Sequence, residues 1–194
     1  QRLPGIVAKD SAALHGLLHR LDRQTSGVLL CAVSYRSFHL AQLQFAARLV
    51  RKDYACLVCG WLACVPRTLK QPLQMVSLAR GVKRSVPSAA GRRAVTELLA
   101  VAHGLCDEAR SVVLVRLHSG RLHQIRAHLA AEGHALVGDP DYGGSSASVA
   151  WCPRVFLHAA RLELDVGQGA WGASCTLPLD LRQALEGVAP EDAR

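Results

Sequence analysis

The segment His19–Gly27, with the sequence HRLDRQTSG, places one carboxylate between two arginines immediately before an apolar stretch. Asp22 lies between Arg20 and Arg23, and the positive charge of these arginines favours its ionised form. A loop at the entrance of a buried strand is a common position for a catalytic group. Asp, Ser, Thr and Gly are also ordinary turn residues, and the segment taken alone fits a structural turn better.

A second segment, Leu117–Leu129 (LHSGRLHQIRAHL), concentrates basic side chains where a predicted strand ends and a helix begins. Arg121, His123 and Arg126 gather at the helix N-terminus, whose partial positive charge reinforces anion binding. Each of the three can reach a carboxylate or a phosphate. A basic surface helix with a few weak salt bridges is the other interpretation.

Two further patterns are interpreted as structural. Gly138–Gly143 (GDPDYG) combines Asp-Pro with Tyr-Gly, which is typical of a rigid loop. Cys56 and Cys59 form a CxxC pair, but residues three apart on a strand point to opposite faces, and no second ligand pair follows at zinc spacing. The seven cysteines therefore indicate reduced thiols in an intracellular protein, and we predict neither a metal site nor a cofactor.

The composition indicates a basic globular protein. Apolar residues make up 50% of the 194 residues and charged residues 20%, which argues against disorder. No apolar run reaches the roughly 18 residues that a membrane helix needs. The net charge is +8, and four of the 23 basic residues are lysine, so 19 are arginine. Because arginine grips phosphates and stacks on bases, nucleic acid is the expected partner; genomic base composition is the alternative explanation.

Apolar periodicity predicts one α+β domain over residues 1–194, with a mixed, mostly antiparallel sheet. The predicted strands cover 27–33, 52–62, 67–73, 94–101, 111–117 and 155–164, with the third pairing with the second. The predicted helices cover 35–49, 123–132 and 179–186. Ser34 is expected to cap the first helix, and Gly133 to end the second.

Residues 74–93 differ from the segments around them because they contain basic residues and no acid. The basic residues of this segment are Arg80, Lys83, Arg84, Arg92 and Arg93. We predict a loop here, either a solvated linker or an arm that faces RNA.

Four strings, taken in order, resemble the RluA-type family of RNA pseudouridine synthases. They are HRLDRQTSG, KDYACLVCG, SGRLHQIRAHLAAEGHALVGDPDYGG and RVFLHAARLEL. The family strings are HRLD-x-x-TSG, K-x-Y-x-A-x-V-x-G, GR-x-HQIR-x-HL followed by GHP-x-x-GD-x-x-YG, and L-x-LHA. The resemblance runs from Leu18 to Leu164. It implies the pseudouridine synthase fold, a mixed sheet flanked by helices with a central RNA-binding cleft.

The resemblance implies three catalytic residues. Asp22 matches the essential aspartate, and Arg126 matches the arginine that pairs with the catalytic carboxylate. Tyr54 matches the tyrosine that stacks on the base and assists proton removal. The reaction breaks the N1–C1′ bond of uridine, rotates the uracil and forms a C5–C1′ bond. A carboxylate stabilises positive charge at C1′ or takes part covalently, as in glycoside chemistry, and the sequence leaves open whether Asp22 attacks C1′ or removes a proton from C2′.

The resemblance also implies residues that bind the substrate RNA. Arg20 matches a residue that fills the space left by the flipped uridine. Leu157, or its neighbour Phe156, matches the apolar residue that lines the base pocket. Arg121 and His123, from the basic helix start, complete the expected RNA-binding set.

The chain also departs from the family pattern. Only 18 residues precede His19, so the N-terminal portion of the family domain is expected to be short or missing. Gln24, Leu122 and Ala135 stand where an acid, a Thr or Ser, and a Pro are usual. We expect a diverged intracellular member in the mitochondrial matrix or the cytoplasm, with the organelle favoured. It would act on structured RNA, ribosomal RNA above all, in some cases within an assembling ribosomal particle. The alternative is a non-enzymatic RNA-binding factor in ribosome assembly.

Overall fold

The computed structural model of the chain describes residues 9–63, 66–78, 81–105, 108–143, 151–165, 167 and 169–190. The α-helices in these ranges are α1 (Tyr35–Ala46), α2 (Gln124–Ala131) and α3 (Leu179–Glu186), and a short 3-10 helix covers Leu14–Gly16. The strands are β1 (Ser26–Gly27), β2 (Arg51–Cys59), β3 (Arg67–Leu69), β4 (Leu73–Ser77), β5 (Lys83–Pro87), β6 (Thr96–Leu105), β7 (Ala109–Leu117), β8 (Leu157–Asp165), β9 (Ala170–Ser174) and β10 (Ala189–Pro190). Within the same ranges, no helix has the length and apolar character needed to cross a membrane.

Most of the strands form one mixed sheet in the order β1-β8-β2-β7-β6-β10. β1 runs parallel to β8, and the other pairings are antiparallel. β9 lies beside β8, β3 lies beside β6, and β4 and β5 form a separate hairpin. The predicted α+β class with a mixed, mostly antiparallel sheet is confirmed.

Neighbouring residues of β2 face opposite sides of the sheet, as a strand requires, and enter two different cores. Cys56 packs in the core that includes Leu129 of α2. Leu57 packs in the core that includes Leu181 of α3. Cys59 packs against this second core, so the two thiols of the CxxC pair lie on opposite faces, as predicted.

The helix boundaries follow local signals in most places. Ser34 caps α1 as predicted, because its side-chain oxygen accepts a hydrogen bond from the backbone N–H of Ser37. The helix is shorter than the predicted 35–49, since Arg48 takes a left-handed backbone with φ of 60°, and Leu49 beyond it is 64% exposed. Gly133, with φ of 86°, follows α2 at the predicted position.

The strand predicted over residues 27–33 is wrong beyond Gly27. β1 pairs with His158 and Ala159 of β8, and β9 occupies the same edge of β8 from Arg161 onward. The chain must therefore leave the sheet after β1, and Leu29 is 47% exposed.

Two predictions for the middle of the chain are also wrong. Residues of β3 pair with β6, not with β2, because β7 and β8 already occupy both edges of β2. The segment 74–93 contains most of a β-hairpin, in which Leu73 pairs with Pro87 and Ser77 with Lys83. Most of β4 is exposed, so it shows little of the apolar alternation by which strands are recognised in a sequence. Arg80 lies outside the described residues.

Candidate active site

A cavity of about 940 Å³ opens between the segment around Asp22, strand β2 and the start of α2. Its wall contains every site residue predicted from the sequence, namely Arg20, Asp22, Tyr54, Arg121, His123, Arg126 and Leu157. The fold therefore brings together side chains that are up to 137 positions apart, from Arg20 to Leu157.

The segment that carries Asp22 is held in place by a residue far along the chain. The guanidinium of Arg154 donates to the backbone oxygen of Gln24 at 2.6 Å and to the Ser26 hydroxyl at 3.0 Å. The backbone N–H of Val155 donates to the side-chain oxygen of Gln24 at 3.2 Å. Gln24, a departure from the family pattern, thus anchors this segment to the turn before β8.

Gly27 allows the same segment to approach β8 closely. It has φ of 119°, and a Cβ at this position would lie 2.2 Å from the carbonyl oxygen of Ala159. The side chain of Ser26 bonds Nδ1 of His158 at 2.9 Å, while Nε2 of His158 bonds the carbonyl oxygen of Cys175 at 2.9 Å. Because that carbonyl only accepts, Nε2 carries the proton, and Nδ1 accepts from the Ser26 hydroxyl.

Tyr54 forms part of the cavity floor. It is 7% exposed and belongs to the same buried core as Leu157, which also lines the cavity. Phe156 is buried in the core on the other side of the sheet, so Leu157 is the residue of this pair that faces the cavity. Burial, with the negative charge of Asp22, raises the pKa of Tyr54 to about 12, so its hydroxyl is protonated at neutral pH.

His123 is the basic side chain that faces Asp22 directly. Its Nε2 lies 4.0 Å from Oδ1 of Asp22. The residue precedes α2 in a left-handed conformation with φ of 50°, which turns the chain into the helix. Burial lowers the pKa of His123, the charge of Arg126 lowers it further, and Asp22 opposes both effects. A largely neutral imidazole therefore stands beside the carboxylate at neutral pH.

The buried side chain of Gln124 fixes the loop that leads into α2. Its oxygen accepts from the Ser119 hydroxyl at 2.8 Å and from the backbone N–H of Arg121 at 3.1 Å. Its amide nitrogen donates to the carbonyl of Val95 at 3.0 Å and to the Thr96 hydroxyl at 2.9 Å. These four bonds tie the basic loop to the start of β6.

The resemblance implies an ion pair between Arg126 and Asp22, and the structure differs here. Nε and Nη2 of Arg126 donate to the two carboxylate oxygens of Asp139, each at 2.7 Å, and Nη2 also meets Asp141 at 2.7 Å. Burial disfavours the charge of Arg126, but these two carboxylates more than offset it and raise its pKa. The GDPDYG loop supplies the partners because it closes against α2, and His123 occupies the position nearest Asp22.

Tyr142 of this loop joins the hairpin to the cluster around Arg126. Its hydroxyl accepts from the backbone N–H of Ser85 at 2.9 Å and donates to the carbonyl of the same residue at 3.0 Å. Arg84 donates to the carbonyl of Asp141 at 2.8 Å. The structural interpretation of the loop agrees with these contacts, but the sequence did not indicate that the loop holds Arg126.

The cavity wall contains many more basic side chains than acidic ones. Among the described residues that line it, Asp22 is the sole carboxylate. The lysine and arginine side chains of the wall are Arg20, Arg48, Lys52, Lys83, Arg121 and Arg126. Arg48 and Lys52 were not predicted, although Lys52 lies two residues before Tyr54 and so on the same face of β2. This excess of positive charge suits a large anionic ligand.

Comparison with known proteins agrees with this architecture. The profile of a family described as RNA pseudouridylate synthase matches residues 8–131. The tRNA pseudouridine synthase C of Yersinia pestis is 33% identical over 160 residues, which cover 76% of this chain and 62% of that protein. The dual-specificity RNA pseudouridine synthase RluA of Escherichia coli O157:H7 is 33% identical over 159 residues, covering 82% and 70% of the two chains.

A solved structure gives the same result for the fold. Human RNA pseudouridylate synthase domain containing 1 superposes with a TM-score of 0.79 at 27% identity, over 90% of this chain and 74% of that one. The chain spans about three fifths of the length of the tRNA pseudouridine synthase C relatives. The family profile covers well over half of the chain, and the cavity contains the residues of each family string, so the chain belongs to the RluA-type RNA pseudouridylate synthase family.

Proposed function

We propose that this protein is an RNA pseudouridine synthase, which isomerises a uridine of a structured RNA to pseudouridine. The observation that carries the proposal is the composition of the cavity. One carboxylate, Asp22, lies beside a protonated phenol, Tyr54, in a wall that is otherwise rich in positive charge. No group of three or more His, Cys, Asp or Glu side chains that could hold a metal occurs in the described part of the chain.

The uridine must leave the RNA stack before its sugar can reach a half-buried carboxylate inside a cavity. Arg20 is exposed at the cavity and is suited to fill the gap that the extruded base leaves. The apolar side chain of Leu157 and the ring of Tyr54 provide the surfaces on which the uracil lies. Arg121 and His123 bind the RNA at the start of α2.

Asp22 acts on the sugar of the extruded nucleotide. As the N1–C1′ bond breaks, positive charge develops at C1′, and a carboxylate stabilises it or forms a bond to this carbon. The uracil then rotates and C5 bonds to C1′, which breaks any bond between Asp22 and that carbon. C5 loses its proton and N1 gains one, so the number of protons is unchanged. The Tyr54 hydroxyl relays a proton in this final part of the reaction.

Mapping pseudouridines in total RNA, with and without this protein, tests the proposal. At least one uridine should lose its modification when the protein is absent and regain it when the purified protein is added to the RNA. An unchanged map, together with RNA binding by the protein, would instead support a non-enzymatic RNA-binding factor in ribosome assembly.

The same map tests the proposed substrate and location. Ribosomal RNA, free or in an assembling particle, is the substrate that we propose, since a densely cationic cavity suits a folded, phosphate-rich RNA. Modification of transfer RNA, after which the Yersinia relative is named, is the competing outcome. The departures at Gln24, Leu122 and Ala135 mark a diverged member of the family. We propose the mitochondrial matrix over the cytoplasm as its location, and fractionation before mapping checks the compartment.

Tyr54→Phe should reduce turnover by about 100-fold or more, because the ring remains but the hydroxyl no longer relays a proton. RNA affinity should change little, since stacking on the base needs only the ring. Single-turnover rates and binding curves on the mapped RNA separate the two effects. Tyr35→Phe, at an exposed tyrosine outside the cavity wall, is the matched control. If the single-turnover rate of Tyr54→Phe is within twofold of that of the unmodified protein, the hydroxyl takes no part in proton transfer and the ring only stacks on the base.

Neutralising the exposed basic residues of the hairpin region should weaken RNA binding and flatten its salt dependence. Lys83, Arg92 and Arg93 are exposed, whereas Arg84 is engaged with the GDPDYG loop and is left intact. Each lost phosphate contact should reduce the log–log salt slope by about 0.7–0.9. Binding titrations of the triple glutamine variant across salt concentrations measure the slope.

A second triple variant controls for the loss of net charge in this experiment. Lys9, Arg36 and Arg182 are exposed and lie outside the cavity wall. Replacing these three with glutamine should leave the slope nearly unchanged. Equal slopes in the two triple variants would mean that the RNA surface does not include the hairpin region.

A further inference from the structure

Lys52 is a half-buried cation in the cavity wall that lacks an anionic partner. In the described part of the chain, no carboxylate lies within ion-pair distance of it. Its Nζ lies 5.8 Å from the ring centre of Phe45 and faces Gly120, where a Cβ would be 4.0 Å away. Burial lowers the pKa of Lys52. Holding a desolvated ammonium costs free energy, and an anion that enters the cavity offsets this cost.

The other lysines and arginines of the cavity wall are ion-paired, hydrogen-bonded to the backbone or exposed. Arg126 is occupied by Asp139 and Asp141, and Nε of Arg121 donates to a backbone carbonyl at 3.2 Å. Arg20, Arg48 and Lys83 are exposed and already hydrated. Lys52 is therefore the sheltered positive charge that the described structure leaves available to a ligand inside the cavity.

The position of Lys52 on β2 relates it to the base. Lys52 and Tyr54 are two residues apart on a strand, so their side chains project from the same face about 7 Å apart. A base that lies on Tyr54 has its own phosphate groups at a distance of this order. An ammonium at this position is within reach of the backbone of the nucleotide whose base lies on Tyr54.

We propose that Lys52 binds a phosphate group adjoining the extruded uridine and so holds that nucleotide against Tyr54. The proposal deepens the proposed function and rests on it for the identity of the nucleotide. Lys52 would act as a substrate-binding residue, separate from the exposed residues that capture RNA through its outer phosphates.

Binding of free nucleosides and nucleotides tests the proposal without turnover. Uridine, uridine 5′-monophosphate and uridine 3′-monophosphate are titrated into the protein and followed by NMR. One of the two monophosphates should bind about 10-fold to 100-fold more tightly than uridine, as expected for a charge-assisted contact, and the comparison identifies which phosphate is held. Lys52→Met should abolish this advantage without weakening uridine binding.

Two other variants complete the design. Lys52→Arg retains the charge and should keep most of the preference for the monophosphate. Lys70→Met, at an exposed lysine outside the cavity wall, should behave like the unmodified protein. Thermal melts of all variants confirm that each is folded, and Lys52→Gln replaces Lys52→Met if the methionine variant is not.

Three results would overturn the proposal. The first is an unmodified protein that does not prefer either monophosphate to uridine. The second is a preference for a monophosphate that persists in Lys52→Met. The third is an equal loss of uridine and monophosphate binding in that variant, which would mean that Lys52 contacts the base and not a phosphate. A failure of the proposed function would be seen separately, as an unchanged pseudouridine map with the nucleotide preference intact.

Discussion

Asp22→Asn is expected to abolish pseudouridine formation while leaving the fold and the RNA affinity nearly unchanged. The amide has the same shape but cannot stabilise positive charge at C1′ or bond to it. Enzymes that lose a group central to the reaction slow by roughly 10⁴-fold or more, and we expect a loss of this order. The nearest ionisable partner, His123, is 4.0 Å away, so removing the charge breaks no close ion pair. Single-turnover rates on the mapped RNA, followed by mass spectrometry, measure the effect.

A matched variant distinguishes this effect from a general loss of charge. Asp165→Asn removes an exposed carboxylate at the end of β8, outside the cavity wall, and should retain full activity. Normal turnover by Asp22→Asn would remove Asp22 from the mechanism. Inactivity of the unmodified protein on every cellular RNA would argue against enzymatic function altogether.

Arg126→Met is expected to destabilise the protein by about 3–5 kcal/mol, the usual effect of leaving one partner of a buried ion pair alone. Asp139 is fully buried and its carboxylate would lose two hydrogen bonds of 2.7 Å. Activity should fall as well, because the start of α2 carries His123 opposite Asp22. Urea denaturation gives the free energy of unfolding, and the single-turnover assay gives the rate.

The double variant Arg126→Met/Asp139→Asn provides an internal test of this explanation. It should cost less than the sum of the two single variants, since neither charge is then buried alone. Arg51→Met is the control, because Arg51 is 41% exposed and its partner Asp53 keeps Arg116 at 2.7 Å. A surface pair of this kind contributes about 1 kcal/mol or less. Equal destabilisation by Arg51→Met and Arg126→Met would contradict the buried-pair explanation.

Features that depend on a few adjacent residues were predictable from the sequence. Ser34 caps its helix, Gly133 ends another, and α3 has the predicted bounds, because caps and amphipathic periods act within one or two turns. The ordered strings were sufficient to identify seven of the residues that line the cavity, although Arg48 and Lys52 were missed. Each string contributes residues to the cavity wall. A string therefore predicts these residues even where the secondary structure between the strings is assigned wrongly.

Features that depend on competition between distant segments were not predictable. The carboxylate that pairs with Arg126 depends on how closely the GDPDYG loop packs against α2. The positions of Asp22, Asp139 and Asp141 along the chain do not show which of them lies nearest to Arg126. The partner of β3 depends on which strand edges are still free. The hairpin was missed because exposed strands owe their conformation to backbone pairing and carry little apolar pattern.

The long-range anchoring of the segment around Asp22 bears on how the protein is made. The bonds from Arg154 and Val155 to Gln24, and from His158 to Ser26, join positions 130 to 132 residues apart. Synthesis proceeds from the N-terminus, so the ribosome releases the aspartate long before the residues that position it. A nascent chain that has not yet reached β8 therefore contains Asp22 without the contacts that hold its segment in place, and the cavity can be completed only late in synthesis.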